Sequence, residues 1–239
     1  MRFFTGLHQP SDAKHFDAAF ISVNRLRPRK SAFQVQDWIM DSGAFTEIST
    51  HGRYRHDVAE YASEIRRWAD NGNLLAAVAQ DWMCEPFIVE KTGLSVDTHQ
   101  QLTVERYDAL LDADHGAVYI MPVLQGYACD DYLRHFDRYG ARLAEGAWVG
   151  VGSVCKRNGK PIDVENVLST IKRARPDLRL HGFGLKTTAL SHLPVRSALH
   201  TADSMAWSFH ARINGRNGND WREAKAWTAK IEERLRAVA

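Results

Sequence analysis

Three acidic residues in this chain each follow a short apolar run: Asp41 ends "DWIMD", Asp81 follows "LLAAVAQ", and Asp203 sits in "ALHTADS". Carboxylates gathered at one place can have their pKa values pushed apart by their surroundings. One then stays ionised as a nucleophile while another holds or shuttles a proton. Gln125 follows "AVYIMPVL" and carries one acceptor and two donors, the equipment for reading the edge of a planar heterocycle. Gly150 and Gly152 in "AWVGVG", and Gly182 and Gly184 in "LRLHGFG", lack the side chains that keep backbone away from a ring. Taken singly, an Asp at a strand end is ordinarily a turn former or helix cap, and a glycine pair ordinarily a tight turn. The chemistry requires all six sites to meet.

The elements that must bring them together are visible as eight short apolar, β-branched or aromatic runs. They span residues 2–6, 18–23, 37–41, 74–80, 117–125, 147–152, 178–184 and 198–204. Runs this continuous suit parallel strands buried on both faces. Most gaps hold a helical pattern. "RHDVAEYASEIRRWADNG" puts Val58, Tyr61, Ile65 and Trp68 on one stripe, with Asp57 at the start and Asn71-Gly72 at the stop. "DVENVLSTIKRARP" does the same with Val164, Val167, Leu168 and Ile171, and a last helix from Asp220 packs Trp227, Ile231 and Leu235. Residues 90–111 read as loop plus helix, and the first two strands have weaker followers. No composition break marks a linker. Residues 1–239 are therefore expected to form one compact (β/α)8 TIM barrel, with a doubly wound open sheet as the alternative. In such a barrel catalytic residues come from the C-terminal strand ends, where the carboxylates, the amide and the glycine pairs all fall.

Bulk properties narrow the class. The chain has 239 residues, 44% hydrophobic and 25% charged, enough to bury a full core. No window approaches the ~18 consecutive apolar residues of a membrane span, and "MRFFTGLHQPSDAKHF" lacks the apolar segment of a secretion signal. A soluble, cytoplasmic protein without a membrane partner is expected. Cys84, Cys129 and Cys155 are odd in number and far apart, which argues against a disulfide framework or a structural zinc.

Net charge is only +2, yet three loops expected on the catalytic rim are basic. "NRLRPRKSAF" holds Arg25, Arg27, Arg29 and Lys30; "CKRNGKP" holds Lys156, Arg157 and Lys160; "HARINGRNG" holds Arg212 and Arg216. Lys186 lies beyond the seventh strand, near the phosphate site common in such barrels. Together they would be the footprint of a phosphate backbone. A base inside a duplex would have to be extruded or already unpaired. Phe45, Trp82, Tyr127 and Trp207 are aromatic candidates for stacking on bases, with core packing the ordinary reading, above all for Trp207. His8, His181 and His210 lie near strand ends without metal-ligand spacing and read as structural or phosphate-contacting.

Several segments resemble one family in order. "DSGAF" is similar to the Asp-Ser-Gly-Gly-Phe segment of the tRNA-guanine transglycosylases, (β/α)8 enzymes that swap guanine for a 7-deazaguanine. "VLQGY" resembles their Val-Gln-Gly segment, "WVGVGSV" their Gly-Gly run, and "LHGFG" their Met-Gly-Val-Gly. "ADSMAWSFHARINGRNG" resembles the segment that holds their nucleophile, and the matches cover roughly 40 to 215. The resemblance implies that Asp203 attacks C1′ to form a covalent glycosyl-enzyme and that Asp41 is the general acid/base. It implies that Asp81 and Gln125 bond the base edge, with Gly126, Gly150, Gly152 and Gly182 in the base-binding segments and Ser42 leaving room for the base. No cofactor is implied.

Departures from that family are informative. Its zinc cluster, Cys-x-Cys-x-x-Cys…His, follows the nucleophile, but here only 36 residues follow Asp203 and none is Cys. The chain also lacks the length of the zinc-binding subdomain that helps hold tRNA. The compact pattern resembles the phage-type DpdA proteins, DNA-guanine transglycosylases that place 7-deazaguanines such as preQ0 into DNA. That resemblance implies DNA as polynucleotide partner, a free 7-deazaguanine base as co-substrate and, for a phage-encoded chain, restriction evasion in the host cytoplasm. The choice of DNA over tRNA rests on the resemblance alone. A tRNA-guanine transglycosylase is the nearest variant. A hydrolytic nucleosidase or glycosidase using paired carboxylates comes next, and a non-catalytic nucleic-acid-binding subunit last.

Overall fold

The computed structural model describes residues 1–157 and 159–236. Among them nine parallel strands form one sheet: β1 (Arg2–Leu7), β2 (Ala18–Ser22), β3 (Asp37–Asp41), β4 (Asn73–Val78), β5 (Ile120–Met121), β6 (Val123–Leu124), β7 (Trp148–Val151), β8 (Arg179–Gly182) and β9 (Leu199–Ser204). Their order is β5-β4-β3-β2-β1-β9-β8-β7-β6. The two outer members are halves of one run, so the sheet is a nearly closed barrel and the open-sheet alternative falls away.

The sequence predicts eight strands; the ninth comes from Pro122. Proline has no N–H and cannot continue the ladder, so the fifth run splits there. β5 pairs with β4 and β6 with β7, while the Pro122 carbonyl still accepts from Gly150 N–H at 2.8 Å.

The helices surround the barrel: α1 (Val23–Leu26), α2 (Ala44–His51), α3 (Val58–Trp68), α4 (Pro86–Thr92), α5 (Val96–Asp112), α6 (Cys129–Tyr139), α7 (Pro161–Ala174), α8 (Thr187–Leu190), α9 (Leu193–Ala198), α10 (Ala206–Ile213) and α11 (Trp221–Arg236). α3 opens on a capping box. The Asp57 carboxylate accepts from Glu60 N–H at 2.8 Å, and Glu60 reaches back to Asp57 N–H at 3.0 Å. It buries Tyr61, Ile65 and Trp68 of the predicted stripe together with Ala62, while Val58 at its start is half-buried. Residues 90–111 hold the end of α4, a short turn and nearly all of α5, because Gly93 stops α4 and the Ser95 hydroxyl caps α5 by accepting from Thr98 N–H at 3.1 Å. None of the described helices is long and apolar enough to cross a membrane.

Alternate residues of each strand point to opposite faces. Trp38, Met40, Val149, Val151 and Leu180 belong to the core shared with the helices, whereas Phe4, Ile39, Val78, Met121, Val123 and Trp148 form a separate buried cluster. The same parity continues to the C-terminal rim. Two residues beyond Ile39 comes Asp41, two beyond Val123 comes Gln125, and two beyond Thr201 comes Asp203.

Candidate active site

At that rim lies a cavity of about 360 Å³, within the range of small-molecule sites. Asp41, Asp81, Glu85, Gln125, Gly152 and Asp203 line it, with Phe20, Val78, Phe183 and Met205 supplying apolar wall. The strand-end carboxylates and the amide named from the sequence thus meet in one place.

Asp203 is buried near the end of β9. Its Oδ1 accepts from Gly184 N–H at 3.0 Å and lies 3.3 Å from His181 Nε2, so Oδ2 is left without a hydrogen bond among the described residues. His181 Nδ1 is 2.8 Å from the Thr201 hydroxyl, which also accepts from Trp148 Nε1 at 2.8 Å. This buried line of side chains fixes the imidazole under Asp203. The strand end is held as well, since Asp203 O accepts from Leu185 N–H at 2.9 Å.

Asp41 ends β3. Burial, and then the charge of Asp203, lift its pKa to about 6, although hydrogen bonds from the Ser22 side chain and Gly43 backbone pull the other way. Asp81 is lifted further, to about 7, by burial above all. The Gln125 amide counteracts the shift, while the charges of Asp41 and Glu85 add to it. Asp81 reaches the cavity because the chain leaves the regular ladder after Val78. Gln80 is consequently turned away, with its Oε1 accepting from Arg106 at 2.7 Å.

Gln125 bridges the acids. Its Nε2–H donates to Asp81 Oδ2, and its Oε1 lies 2.8 Å from Ser153 Oγ. Ser153 Oγ also accepts from Cys84 N–H at 3.0 Å and stands 2.9 Å from Glu85 Oε2. A hydroxyl has one proton, so it can serve Gln125 or Glu85 but not both at once. Ser153 is also the one non-glycine residue among those described with positive φ, at 55°, a conformation that costs about 1–3 kcal/mol. The Gln125 backbone is clamped on both sides: Gln100 Nε2–H donates to its carbonyl at 2.7 Å, and its N–H donates to His135 Nδ1 at 2.8 Å. Burial pushes His135 down to about 3, which keeps that nitrogen free of a proton and able to accept.

Glu85 and Ser153 were not singled out from the sequence. The available signal was the acid directly before Pro86 in "WMCEPF", which reads as a helix cap. Here the side chain makes no cap bond and turns to Ser153 instead.

The glycines act differently from expectation. The N–H groups of Gly150 and Gly152 are taken by Pro122 O at 2.8 Å and Leu124 O at 2.9 Å within the sheet, while Gly152 lines the cavity. Their missing side chains make room for protein: a Cβ on Gly152 would overlap the Gln125 amide, and one on Gly150 the Phe183 ring. Gly182 faces Leu185 and Leu199, and Gly126 packs on Asp131 and Tyr132 of α6. Ser42 is buried beside Asp41 and outside the cavity lining.

Lys156 lines the cavity, and Lys160, Lys186, Arg25 and Arg212 are exposed, with Arg157 half-buried. Arg25 and Arg212 flank His8, whose pKa is lowered first by burial and then by these two charges. Arg27 is half-buried and bonded to Asn24 Oδ1 at 2.6 Å, Arg29 is tied to Ser31 O at 2.7 Å, and Arg216 pairs with Glu223 at 3.2 Å. Of the proposed stacking aromatics, Trp82 and Trp207 are buried, whereas Phe45 and Tyr127 are exposed.

The family model of DpdA, DeoxyPurine in DNA protein A, matches residues 1–236, nearly the whole chain. No curated protein matches it.

Proposed function

This chain belongs to the DpdA family, whose role is DNA modification by transglycosylation, and from that premise we propose that it exchanges guanine in DNA for a free 7-deazaguanine such as preQ0. The single observation that carries the reading is the shared cavity of Asp203, Asp41, Asp81 and Gln125. An oxygen of the Asp203 carboxylate forms a bond to C1′ as the C1′–N9 bond breaks, and the electron pair leaves with guanine. Oδ2 is the oxygen without a hydrogen bond to the described residues, and Oδ1 stays on Gly184 N–H.

Asp41 gives a proton to the departing base. It later takes one from the incoming base, whose nitrogen attacks C1′ and releases Asp203. A pKa of about 6 suits both tasks near neutral pH, because both protonation states are populated. Asp81, at about 7, can accept or donate toward the base edge, and the clamped Gln125 amide fixes its orientation. Apolar walls from Phe20, Val78 and Phe183 hold the flat ring.

Incubation with guanine-containing DNA and labelled guanine or preQ0 tests this. Label is expected in the DNA with release of one guanine per label. Guanine release leaving abasic DNA, with no label incorporated, would instead identify a hydrolase.

A further inference from the structure

The mouth of the cavity carries a feature that the exchange step does not use. Among the described residues five Phe, Tyr or Trp side chains are exposed, and four stand on the segments that follow strands at this rim, three of them in the helices α2, α4 and α10. They are Phe45 after β3 (46% exposed), Phe87 after β4 (44%), Tyr127 after β6 (42%) and Phe209 after β9 (58%). The fifth, Tyr119, precedes β5 at the opposite end and is bonded to the Trp148 backbone. Exposed large rings concentrated in one region mark a surface that something covers.

A cation stands over each ring. Lys156 Nζ lies 4.9 Å from the Phe45 centroid and 5.7 Å from that of Phe87. The Arg157 guanidinium is 4.4 Å from Tyr127, and Lys186 Nζ is 5.9 Å from Phe209. A flat apolar face beside a positive charge thus recurs in three sectors of one rim. Alternating faces and charges match a strand whose bases and phosphates alternate, the pattern of single-strand binding surfaces.

We propose that this collar holds unpaired DNA, so that the chain takes its target guanine from single-stranded or locally melted DNA. The assignment rests on the reading of DNA as substrate given above. In an intact duplex each base face is covered by its neighbours, and rings at the rim have nothing to stack on. An unpaired strand offers free faces, and extruding the target then carries no unpairing cost. Phe45 and Lys156 line the cavity themselves, so the run of stacking sites leads directly to where the target base would enter.

Fluorescence anisotropy would compare one guanine-containing oligonucleotide as single strand, as perfect duplex and as a duplex with a central unpaired bubble. Single strand and bubble are expected to bind about tenfold or more tighter than duplex. Phe87→Ala, Tyr127→Ala and Phe209→Ala should each weaken single-strand binding by about 5- to 100-fold, the worth of one stacked base, and change duplex binding little. Phe209→Trp should keep the affinity, and Phe209→Leu, which keeps apolar area but not the flat face, should lose it. Duplex binding as tight as single-strand binding, or leucine serving as well as tryptophan, would overturn the proposal. Exchange is scored separately. A chain that prefers single strands yet exchanges nothing loses the reaction and keeps the collar. One that exchanges equally in duplex and single strand loses the collar and keeps the reaction.

Discussion

Along the same strands the barrel interior carries two chemistries. Its middle is filled by Phe4, Ile39, Met121, Val123 and Trp148, and the polar groups there are paired, Trp148 to Thr201 and Thr201 to His181. Two residues nearer the C-terminal end, the inward positions are Asp41, Gln125 and Asp203, and burial with mutual repulsion holds Asp41 and Asp81 well above the usual carboxylate range. Strand alternation delivers both sets inward by the same geometry. Height in the barrel decides whether an inward residue serves stability or chemistry. Buried charge destabilises a fold, and concentrating it in one layer leaves the rest of the interior free to be an ordinary apolar core.

The largest contrast should come from one substitution at each height. Asp203→Asn keeps the shape but loses the attacking charge, and exchange should fall about 10⁴-fold or more while the fold stays intact. Ile39→Ala, one layer below, should cost about 2–5 kcal/mol of stability in denaturant unfolding, with the folded fraction still active. Normal turnover in a folded Asp203→Asn protein would erase the distinction.

Gly152→Ala sits between the two heights. Its Cβ would displace the Gln125 amide from Asp81, and a misplacement on that scale costs about 100-fold in rate. Turnover should drop while melting temperature moves little. A large loss of stability with normal turnover would place Gly152 with the structural layer.

The third test uses pH. Asp81 in the folded chain binds its proton more tightly than in the unfolded one, so stability falls as pH rises between about 4 and about 7. Asp81→Asn removes that loss. The variant should be more stable than wild type at pH 8, by up to about 4 kcal/mol from the full shift. The gain should vanish near pH 4. Asp41→Asn should show the same sign with a smaller gain, since its shift ends at about 6. A stability gain that is equal at both pH values would mean that charge burial is not its source.

The smallest effect separates the rim cations. Five or six phosphate contacts on a single strand should give a slope of log K against log[salt] of about −4, and losing one should reduce its magnitude by about 0.7. Lys156→Ala or Arg212→Ala should do so. Arg27→Ala should not, because its guanidinium is half-buried on Asn24.

Local signals in the sequence survived folding, and distant ones were invisible. The start of α3 at Asp57, its apolar stripe and the acid ending β3 are written in neighbouring residues and appear in place, whereas β4 stops at Val78, three residues short of Asp81. Pro122 was also in plain view, but its effect depends on both flanking strands and was missed. Glu85 and Ser153 meet across 68 positions, so nothing near either residue announces the pair. Gly150 and Gly152 read as room for a ligand because a sequence shows an absent side chain without showing what fills the space, here Phe183 and Gln125. Arg216 was legible as basic, but its partner Glu223 lies on α11.

The most direct test of the chemistry is intact-protein mass spectrometry after incubation with guanine-containing single-stranded DNA. The wild-type chain should form a covalent species of the mass of protein plus DNA less one guanine. Added preQ0 should discharge it into modified DNA, and Asp203→Asn should form none. Abasic DNA with no adduct, or an undiminished adduct in Asp203→Asn, would contradict an aspartyl-glycosyl intermediate on Asp203.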